Sequence, residues 1–389
     1  MTPLAFIEKE TRAGPRTLKP RWDTGYAVFA MKRGRFITCD DRPSHGRNRR
    51  LRRFAMVMLT IVFGASATGF VRPSVNRTPA PPRDGGFVVL YDPASVTVFV
   101  AHARRLAMIY LDTAVITSRG GLDDSAPASL VQMLARHHVP IELTVSNLVS
   151  SNAARDRRIL VQLLNHKPLQ AALTGALVSA STPFAGINLD FEGVPRRERG
   201  RLTAFVGRLE AALHRRHKLL SIDVPALTRQ KAASSAFSYR ALGRKVDAIL
   251  VMAYDYSYPG SRPGPIAPLW WVRDVLAYAR ATVPAAKIRL GLPFYGYDWV
   301  GRRASGLTLA QVRQVAASHR VRIRWDGRAH VPYFHYGPRR ARHTVYFTNQ
   351  KSIAQELQAA RQAGVPGVFY WFVGSGTASV FAPVASYQP

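Results

Sequence analysis

Short apolar runs alternate with amphipathic, helix-like stretches from residue 87 to residue 374. The helix-like stretches, such as SLVQMLARHH and RLTAFVGRLEAALHRR, repeat apolar residues at the spacing of one helix face. Eight apolar runs are typical of buried strands: 87–91, 106–112, 140–147, 185–192, 219–225, 248–255, 287–296 and 367–374. Eight strands alternating with helices predict an α/β fold, a (β/α)8 or TIM barrel, better than a doubly wound sheet. No G-x-G-x-x-G or phosphate-binding loop follows the early strands, which argues against a nucleotide cofactor.

The interval between the last two predicted strands, residues 297–366, is long for a barrel connection. It contains RIRWDGRAHVPYFHY and RHTVYFT, whose alternating pattern is typical of strands. We therefore expect a small α+β insertion between strands 7 and 8.

The N-terminal part has the layout of a membrane-targeting segment. A basic segment, residues 1–53, ends in RRLRR and leads into the apolar run 54–71, which contains Ala65-Ser66-Ala67. This run is either a signal peptide, cleaved after Ala67, or a single anchor in the inner membrane. Either reading predicts an exported, periplasmic or extracellular protein. Met31 is an alternative start. Residues 72–86 read as a Pro-rich linker, and residues 87–389 as the barrel domain.

The composition restricts the partners. The net charge is +32, from 55 basic and 23 acidic residues, and the basic residues are spread along the chain. Zinc-finger spacing and RNA-binding aromatic motifs are absent from the sequence, so a nucleic acid is not expected as a partner. The single cysteine, Cys39, precedes the apolar run, so no internal disulfide is possible. We expect a monomer that contacts the cell envelope or membrane through its N-terminal segment.

The stretch AGINLDFEGV, residues 185–194, places polar residues on one face of a buried strand. Asn188, Asp190 and Glu192 alternate with apolar residues, so they share a face. Barrel enzymes carry their functional groups at the carboxyl ends of the strands, where Asp255 and Trp371 are also expected. Carboxylates beside aromatic rings suit a sugar site, because rings stack on sugars and carboxylates supply acid catalysis.

Four motifs carry a resemblance to a known family. AGINLDFE resembles the D-x-x-D-x-D-x-E signature of glycoside hydrolase family 18, the chitinase-like barrels. VMAYDYSY, KIRLGLPFYGYDW and GVFYWFVGS are similar to that family's sixth, seventh and eighth strands. The resemblance covers residues 87–380, and it is strongest to the bacterial branch that includes spore-cortex peptidoglycan hydrolases. It implies a retaining glycosidase that uses the substrate's own acetamido group and acts on a polymer containing N-acetylglucosamine, such as peptidoglycan or chitin.

The resemblance also implies catalytic roles. Glu192 corresponds to the acid that protonates the glycosidic oxygen and later activates water. Asp190 corresponds to the carboxylate that orients the acetamido group and stabilises positive charge. Tyr254 corresponds to the hydroxyl that donates to the acetamido carbonyl. Members of this family need no cofactor and no metal, and the histidines of this chain show no metal-binding spacing.

Five further residues are expected to bind substrate. By resemblance, Asp255 holds substrate hydroxyls or the acetamido group, and Trp371 forms the floor beneath the distorted ring. Asn188 replaces the signature's inner Asp, which shares a proton with its neighbour. Asn147 ends the third predicted strand, and Tyr295 lies beside the end of the seventh.

The departures from the signature leave an alternative open. Ala185 replaces the first Asp of the signature, a supporting position. An amide at Asn188 cannot accept a proton, so the titration of Asp190 should differ from the family pattern. A non-catalytic, lectin-like barrel that binds amino-sugar polysaccharides is the alternative function, against which the intact Glu192 argues. The basic charge and export favour an acidic envelope polymer, but the sequence leaves peptidoglycan, chitin and exopolysaccharide open.

Overall fold

The computed structural model describes residues 84–376, except residues 93, 104, 105, 149 and 151. The predicted basic segment, the apolar run 54–71 and almost all of the linker lie outside the described residues. Within the described part of the chain, no helix is both long and apolar enough to cross a membrane.

Eight parallel strands form the predicted closed barrel. They are β1 (Gly85–Val89), β2 (Met108–Ile116), β4 (Ile141–Ser146), β5 (Gly186–Asp190), β6 (Leu219–Pro225), β7 (Ala248–Met252), β8 (Ile288–Pro293) and β14 (Gly367–Trp371). Each strand pairs with its neighbours, and pairing of β1 with both β14 and β2 closes the ring. A short strand, β3 (Leu122–Asp124), pairs antiparallel with the end of β2. Because the barrel strands are buried on both faces, they read as nearly continuous apolar runs.

The helices lie between the strands in sequence. They are α1 (Ala94–His102), α2 (Ala128–Ala135), α3 (Ala153–Asn165), α4 (Lys167–Ala180), α5 (Arg199–His214), α6 (Tyr239–Leu242), α7 (Leu269–Thr282), α8 (Leu309–Ser318) and α9 (Gln350–Gln362). Helix α5 shows the pattern that predicted it, since Leu202, Phe205 and Leu209 recur at helical spacing and are buried. The alternation of strands and helices is therefore the one that the sequence predicts.

A second, antiparallel sheet lies between β8 and β14 in the chain. Its strands are β9 (Tyr295–Val300), β10 (Arg303–Thr308), β11 (Arg324–Asp326), β12 (Val331–Tyr336) and β13 (His343–Phe347), in the order β10-β9-β13-β12-β11. Helix α8 connects β10 to β11, and a reciprocal capping box at Thr308 and Gln311 fixes its start.

Three of the differences from the predicted strand ends concern candidate site residues. The fourth predicted strand ends at Asp190, and the sixth ends at Met252, so Glu192 and Asp255 lie in the loops that follow. The backbone turns there, because Gly193 and Asp255 have φ angles of 65° and 60°. The seventh predicted strand is divided at Phe294, whose N–H donates to the carbonyl of Trp371. Tyr295 is the first residue of β9 and so belongs to the second sheet, not to the barrel.

Helix α9 carries a buried carboxyl group, Glu356, which is 2% exposed. Among the described residues, neither of its carboxyl oxygens has a hydrogen-bond partner. Burial raises the pKa of Glu356 well above its ordinary value of 4.5. The folded state thus holds this proton more tightly than the unfolded chain does. The stability that the protonated form supports is lost as pH rises from 4.5 through the folded pKa.

Replacing Glu356 by Met should therefore stabilise the protein, and more so at high pH. We expect Glu356→Met to raise the free energy of unfolding by about 1–3 kcal/mol at pH 8, and by less at pH 5. Urea unfolding at both pH values measures the difference, with the exposed helix residue Asp274→Asn as a control. A gain that is independent of pH would show that Glu356 does not titrate in this way.

Candidate active site

The predicted site residues meet at one rim of the barrel. Because all eight barrel strands are parallel, their carboxyl ends lie at the same rim. Asp190 is the last residue of β5, Trp371 is the last residue of β14, and Asn147 directly follows β4. Three more follow β5 and β7 within a few residues: Glu192, Tyr254 and Asp255. Of the other two predicted residues, Asn188 lies within β5 and Tyr295 begins β9.

Asp190 is a buried carboxyl group among other carboxyl groups. It is 5% exposed, and its Oδ1 has no hydrogen-bond partner among the described residues. The pKa of Asp190 is raised to about 7, first by burial and then by the charge of Asp112, while a hydrogen bond with Ser146 opposes the shift. The group therefore changes charge near neutral pH, which suits a carboxyl that must act in either form.

The backbone at Glu192 is held by Asn147. The Glu192 N–H donates to Asn147 Oδ1 at 2.6 Å, and Asn147 Nδ2 donates to the Glu192 carbonyl at 3.3 Å. Asn147 is fully buried, whereas Glu192 is partly exposed. The Asn147 amide is thus bonded within the protein. These two hydrogen bonds, the Asn147 clamp, fix the backbone from which the Glu192 side chain projects.

Tyr254 lies within the same group of acids. It is 5% exposed, and burial raises the pKa of its hydroxyl well above 10. Four negative charges raise that pKa further, in the order Asp223, Asp190, Asp255 and Glu192. The hydroxyl consequently stays protonated, so it can donate a hydrogen bond to an acceptor at the rim.

Asp255 is oriented by tyrosines of the second sheet. The hydroxyl of Tyr295 donates to Asp255 Oδ1 at 2.5 Å, and that of Tyr297 donates to the same oxygen at 3.1 Å. Asp255 has the left-handed backbone conformation noted above, which the two hydrogen bonds help to hold. The second sheet therefore contributes directly to the rim, and the predicted residue Tyr295 acts on Asp255.

Asn188 is fully buried in the barrel interior. Its Nδ2 donates to Ser221 Oγ at 2.9 Å and to Asp223 Oδ1 at 3.1 Å, both on the neighbouring strand β6. The Ser221 hydroxyl in turn donates to Glu142 on β4. Asn188 thus joins a chain of polar groups beneath the rim.

Two acidic residues of this site, Asp112 and Asp223, were not predicted from the sequence. Asp223 is 3% exposed, and burial raises its pKa well above 3.8, with the charge of Asp190 as the next cause. Both acids stand in apolar runs, MIYLD and LLSIDVP, that predict barrel strands. An isolated acid in a strand buried on both faces is costly unless it serves a site, and that signal could have found both residues.

Trp371 completes the rim on the other side of the barrel. Its ring contacts Phe87 and Phe372 edge-to-face, with centroids 5.2 and 6.1 Å apart. These contacts fix the orientation of the indole. Across the part of the chain that the structure describes, no three His, Cys, Asp or Glu side chains are placed to hold a metal ion.

An exposed aromatic pair lies in the segment that follows Asp255. Tyr256 is 44% exposed and Trp270 is 39% exposed, and their rings meet edge-to-face at 5.2 Å. With Pro265 and Arg328 they line a pocket of about 300 Å³. Exposed aromatic faces of this kind can stack on sugar rings.

The barrel and its acidic rim define a glycosidase of the (β/α)8 class, and the comparisons with known proteins agree. The profile of glycosyl hydrolases family 18 matches residues 161–376, and the chain belongs to that family. It is 28% identical over 253 residues to the putative sporulation-specific glycosylase YdhD of Bacillus subtilis, covering 63% of this chain and 60% of that protein. It is 30% identical over 224 residues to the cortical fragment-lytic enzyme of the same species, covering 54% of this chain and 52% of that enzyme.

Solved structures show the same barrel. A chitinase from Chromobacterium violaceum superposes with a TM-score of 0.73 at 27% identity, over 79% of this chain and 100% of that one. The chain matches between half and two thirds of the length of the two curated Bacillus relatives named above. What those proteins act on is therefore a guide to this chain and not a description of it.

Gly291 on β8 makes room for Tyr254. A Cβ atom at Gly291 would lie 2.8 Å from Tyr254 Cε1, 2.6 Å from Phe369 Cζ and 2.9 Å from the Val251 carbonyl. Real Cβ atoms do not approach this closely, so a larger residue would have to displace one of these rings.

We expect Gly291→Ala to destabilise the protein by about 1–3 kcal/mol, since the methyl group overpacks a filled barrel. Gly175→Ala, on the exposed face of α4 with nothing within 4 Å, is the matched control. That substitution should stabilise by up to about 1 kcal/mol through helix propensity. Chemical denaturation measures both variants. Equal stability of Gly291→Ala and wild type would contradict the tight contact.

Proposed function

We propose that this protein is a retaining glycoside hydrolase that acts by substrate-assisted catalysis on a polymer containing N-acetylglucosamine. One observation carries the proposal: Glu192, partly exposed and clamped by Asn147, lies at the same rim as Asp190 and the protonated Tyr254 hydroxyl. Family membership supports the reaction class, because family 18 uses the substrate's acetamido group as nucleophile.

In the first step, Glu192 gives its proton to the glycosidic oxygen as the bond from that oxygen to C1 breaks. The acetamido oxygen of the same sugar attacks C1 and forms a cyclic oxazolinium ion. The Tyr254 hydroxyl donates to the acetamido group and holds it beneath C1. The ionised form of Asp190 stabilises the positive charge that develops on the ring.

In the second step, Glu192 acts as a base. Its carboxylate takes a proton from a water molecule, whose oxygen attacks C1 from the side that the leaving group vacated. The bond between C1 and the acetamido oxygen breaks, the acetamido group is restored, and Glu192 regains its proton. Two inversions at C1 give net retention of configuration.

The remaining predicted residues divide into two groups. Asp255 and Trp371 are proposed to contact the substrate, Asp255 through hydroxyl or amide groups and Trp371 by stacking beneath the ring. Asn188, Asn147 and Tyr295 are proposed to act through other residues, because their polar groups bind the protein itself. This assignment modifies the expectation that all five bind substrate directly.

The substrate is proposed to be an envelope polymer of the peptidoglycan type. Two observations favour it over chitin: the net charge of +32, which suits an acidic polymer, and the Bacillus relatives, one of which is named a cortical fragment-lytic enzyme. The sequence pattern of residues 1–71 supports export, with the run 54–71 as signal or inner-membrane anchor, the linker 72–86 and the barrel 87–389. We propose that the protein acts as a monomer, without metal or cofactor.

Replacing Glu192 by Gln should abolish hydrolysis while sparing binding. The amide keeps the shape of the side chain but cannot give or take the proton, so we expect kcat to fall at least about 100-fold with little change in KM. Release of a fluorogenic aglycone from N-acetylglucosamine oligomers measures the rate. Glu210→Gln on the outer helix α5 is the matched control and should keep wild-type activity.

Two results would contradict the proposal. Full activity of Glu192→Gln would remove Glu192 from the chemistry. Binding of oligomers by the wild type without any turnover of N-acetylglucosamine glycans would favour the lectin-like alternative.

A further inference from the structure

We propose that Asp190 and Asp223 share one proton. The proton moves entirely to Asp223 when Asp190 becomes negatively charged and stabilises the positive charge on the sugar ring. The inference rests on the proposed function and adds a positioning residue to it. The proton leaves a carboxyl oxygen of Asp190 for one of Asp223, and the negative charge passes from Asp223 to Asp190. Asp223 acts through Asp190 and does not touch the substrate.

The strand register brings the two carboxyl groups together. Strands β5 and β6 are paired neighbours, with Asn188 opposite Ser221 and Leu189 opposite Ile222. The next position along this register sets Asp190 beside Asp223. Side chains alternate along a strand, so both carboxyl groups face the barrel interior, together with Asn188 and Ser221. Both acids are at least nine-tenths buried, which limits exchange of a proton with solvent.

The Asn188 amide cannot be the group that shares a proton with Asp190. Its Nδ2 donates to Asp223 Oδ1 at 3.1 Å, and an amide nitrogen has no basic lone pair with which to accept a proton. The signature that this stretch resembles has a carboxyl group at position 188. In this chain the carboxyl group stands one strand away, within hydrogen-bond distance of that position. Oδ1 of Asp190 has no hydrogen-bond partner among the described residues, so it is available to carry the proton.

The surrounding charges keep one proton on the pair. Burial raises the pKa of both acids, and the charge of Asp190 raises that of Asp223. Asp112 from β2 and Glu192 from the rim add further negative charge.

Other groups face the pair from the neighbouring elements. Ser146 from β4 favours the ionised form of Asp190, and the Tyr254 hydroxyl faces the pair from the β7 end. Glu142 on β4 reaches it only through Ser221 and Asn188. At neutral pH two adjacent buried carboxyl groups in such surroundings cannot both ionise, so they titrate as one unit.

The test uses the full chain and the fluorogenic oligomer, with kcat/KM measured across pH. In Asp223→Asn, the charge on Asp190 can form only by losing its proton to solvent. We therefore expect the acid limb of the profile to move up by about one pH unit or more. The double variant Asn188→Asp/Asp223→Asn puts a carboxyl group back beside Asp190. It should return the limb to within about half a unit of wild type. Ser221→Ala removes the other acceptor of the Asn188 amide without removing a carboxyl group, and should leave the limb in place.

An unmoved acid limb in Asp223→Asn overturns the proposal. An acid limb that lies as high in the double variant as in Asp223→Asn also overturns it. If the role of Asp223 were purely structural, a carboxyl group at position 188 would not restore the profile.

A second measurement does not depend on activity, so it separates this inference from the proposed function. If the wild type proves inactive on every N-acetylglucosamine oligomer, the proposed function fails, and titration of 13C-labelled aspartate by NMR still tests the pair. Removing the charge in Asp190→Asn should lower the pH at which Asp223 titrates by a unit or more. An Asp223 titration that does not change between wild type and Asp190→Asn would refute the shared proton.

Discussion

Repulsion between buried carboxyl groups is the constraint on which this site depends. Asp190 and Asp223 lie on adjacent strands inside a barrel, where low polarity strengthens their interaction and disfavours two charges. The neighbouring groups reduce the cost of this repulsion. Asn188 donates to Asp223, Ser146 donates to Asp190, and Tyr254 stays protonated among the acids. A reaction that develops positive charge at the rim benefits from this arrangement, since one carboxyl group can ionise when a cation forms beside it.

The fold supplies the positions that make the constraint useful. A closed parallel barrel brings the carboxyl ends of eight strands to one rim, so residues distant in the chain become neighbours. The second sheet adds an outer support, because Tyr295 and Tyr297 hold the carboxyl group of Asp255. Asn147 does the same for the backbone at Glu192. Asp255 and Glu192, both proposed to contact the substrate, are thus held by residues that do not contact it.

Much of this could be predicted from the sequence, because the relevant signals are local. Alternation within AGINLDFE placed Asn188 and Asp190 on one face, and the order of apolar runs gave the barrel. Asp223 was missed because a single acid within LLSIDVP has no local partner, and its significance depends on the register between two strands. The link from Tyr297 to Asp255 was missed for a similar reason, since it joins two sheets whose packing no local pattern specifies. The expected export segment lies outside the described residues and stays a prediction.

The anomeric configuration of the first product tests the central claim most directly. Proton NMR spectra recorded during the first minutes of hydrolysis of a β-linked N-acetylglucosamine oligomer distinguish the two anomers before they interconvert. Substrate-assisted catalysis at Glu192, Asp190 and Tyr254 predicts the β-anomer at the new reducing end, with the α-anomer appearing later by mutarotation. Initial release of the α-anomer would mean inversion by direct attack of water, and would contradict the mechanism proposed for this site.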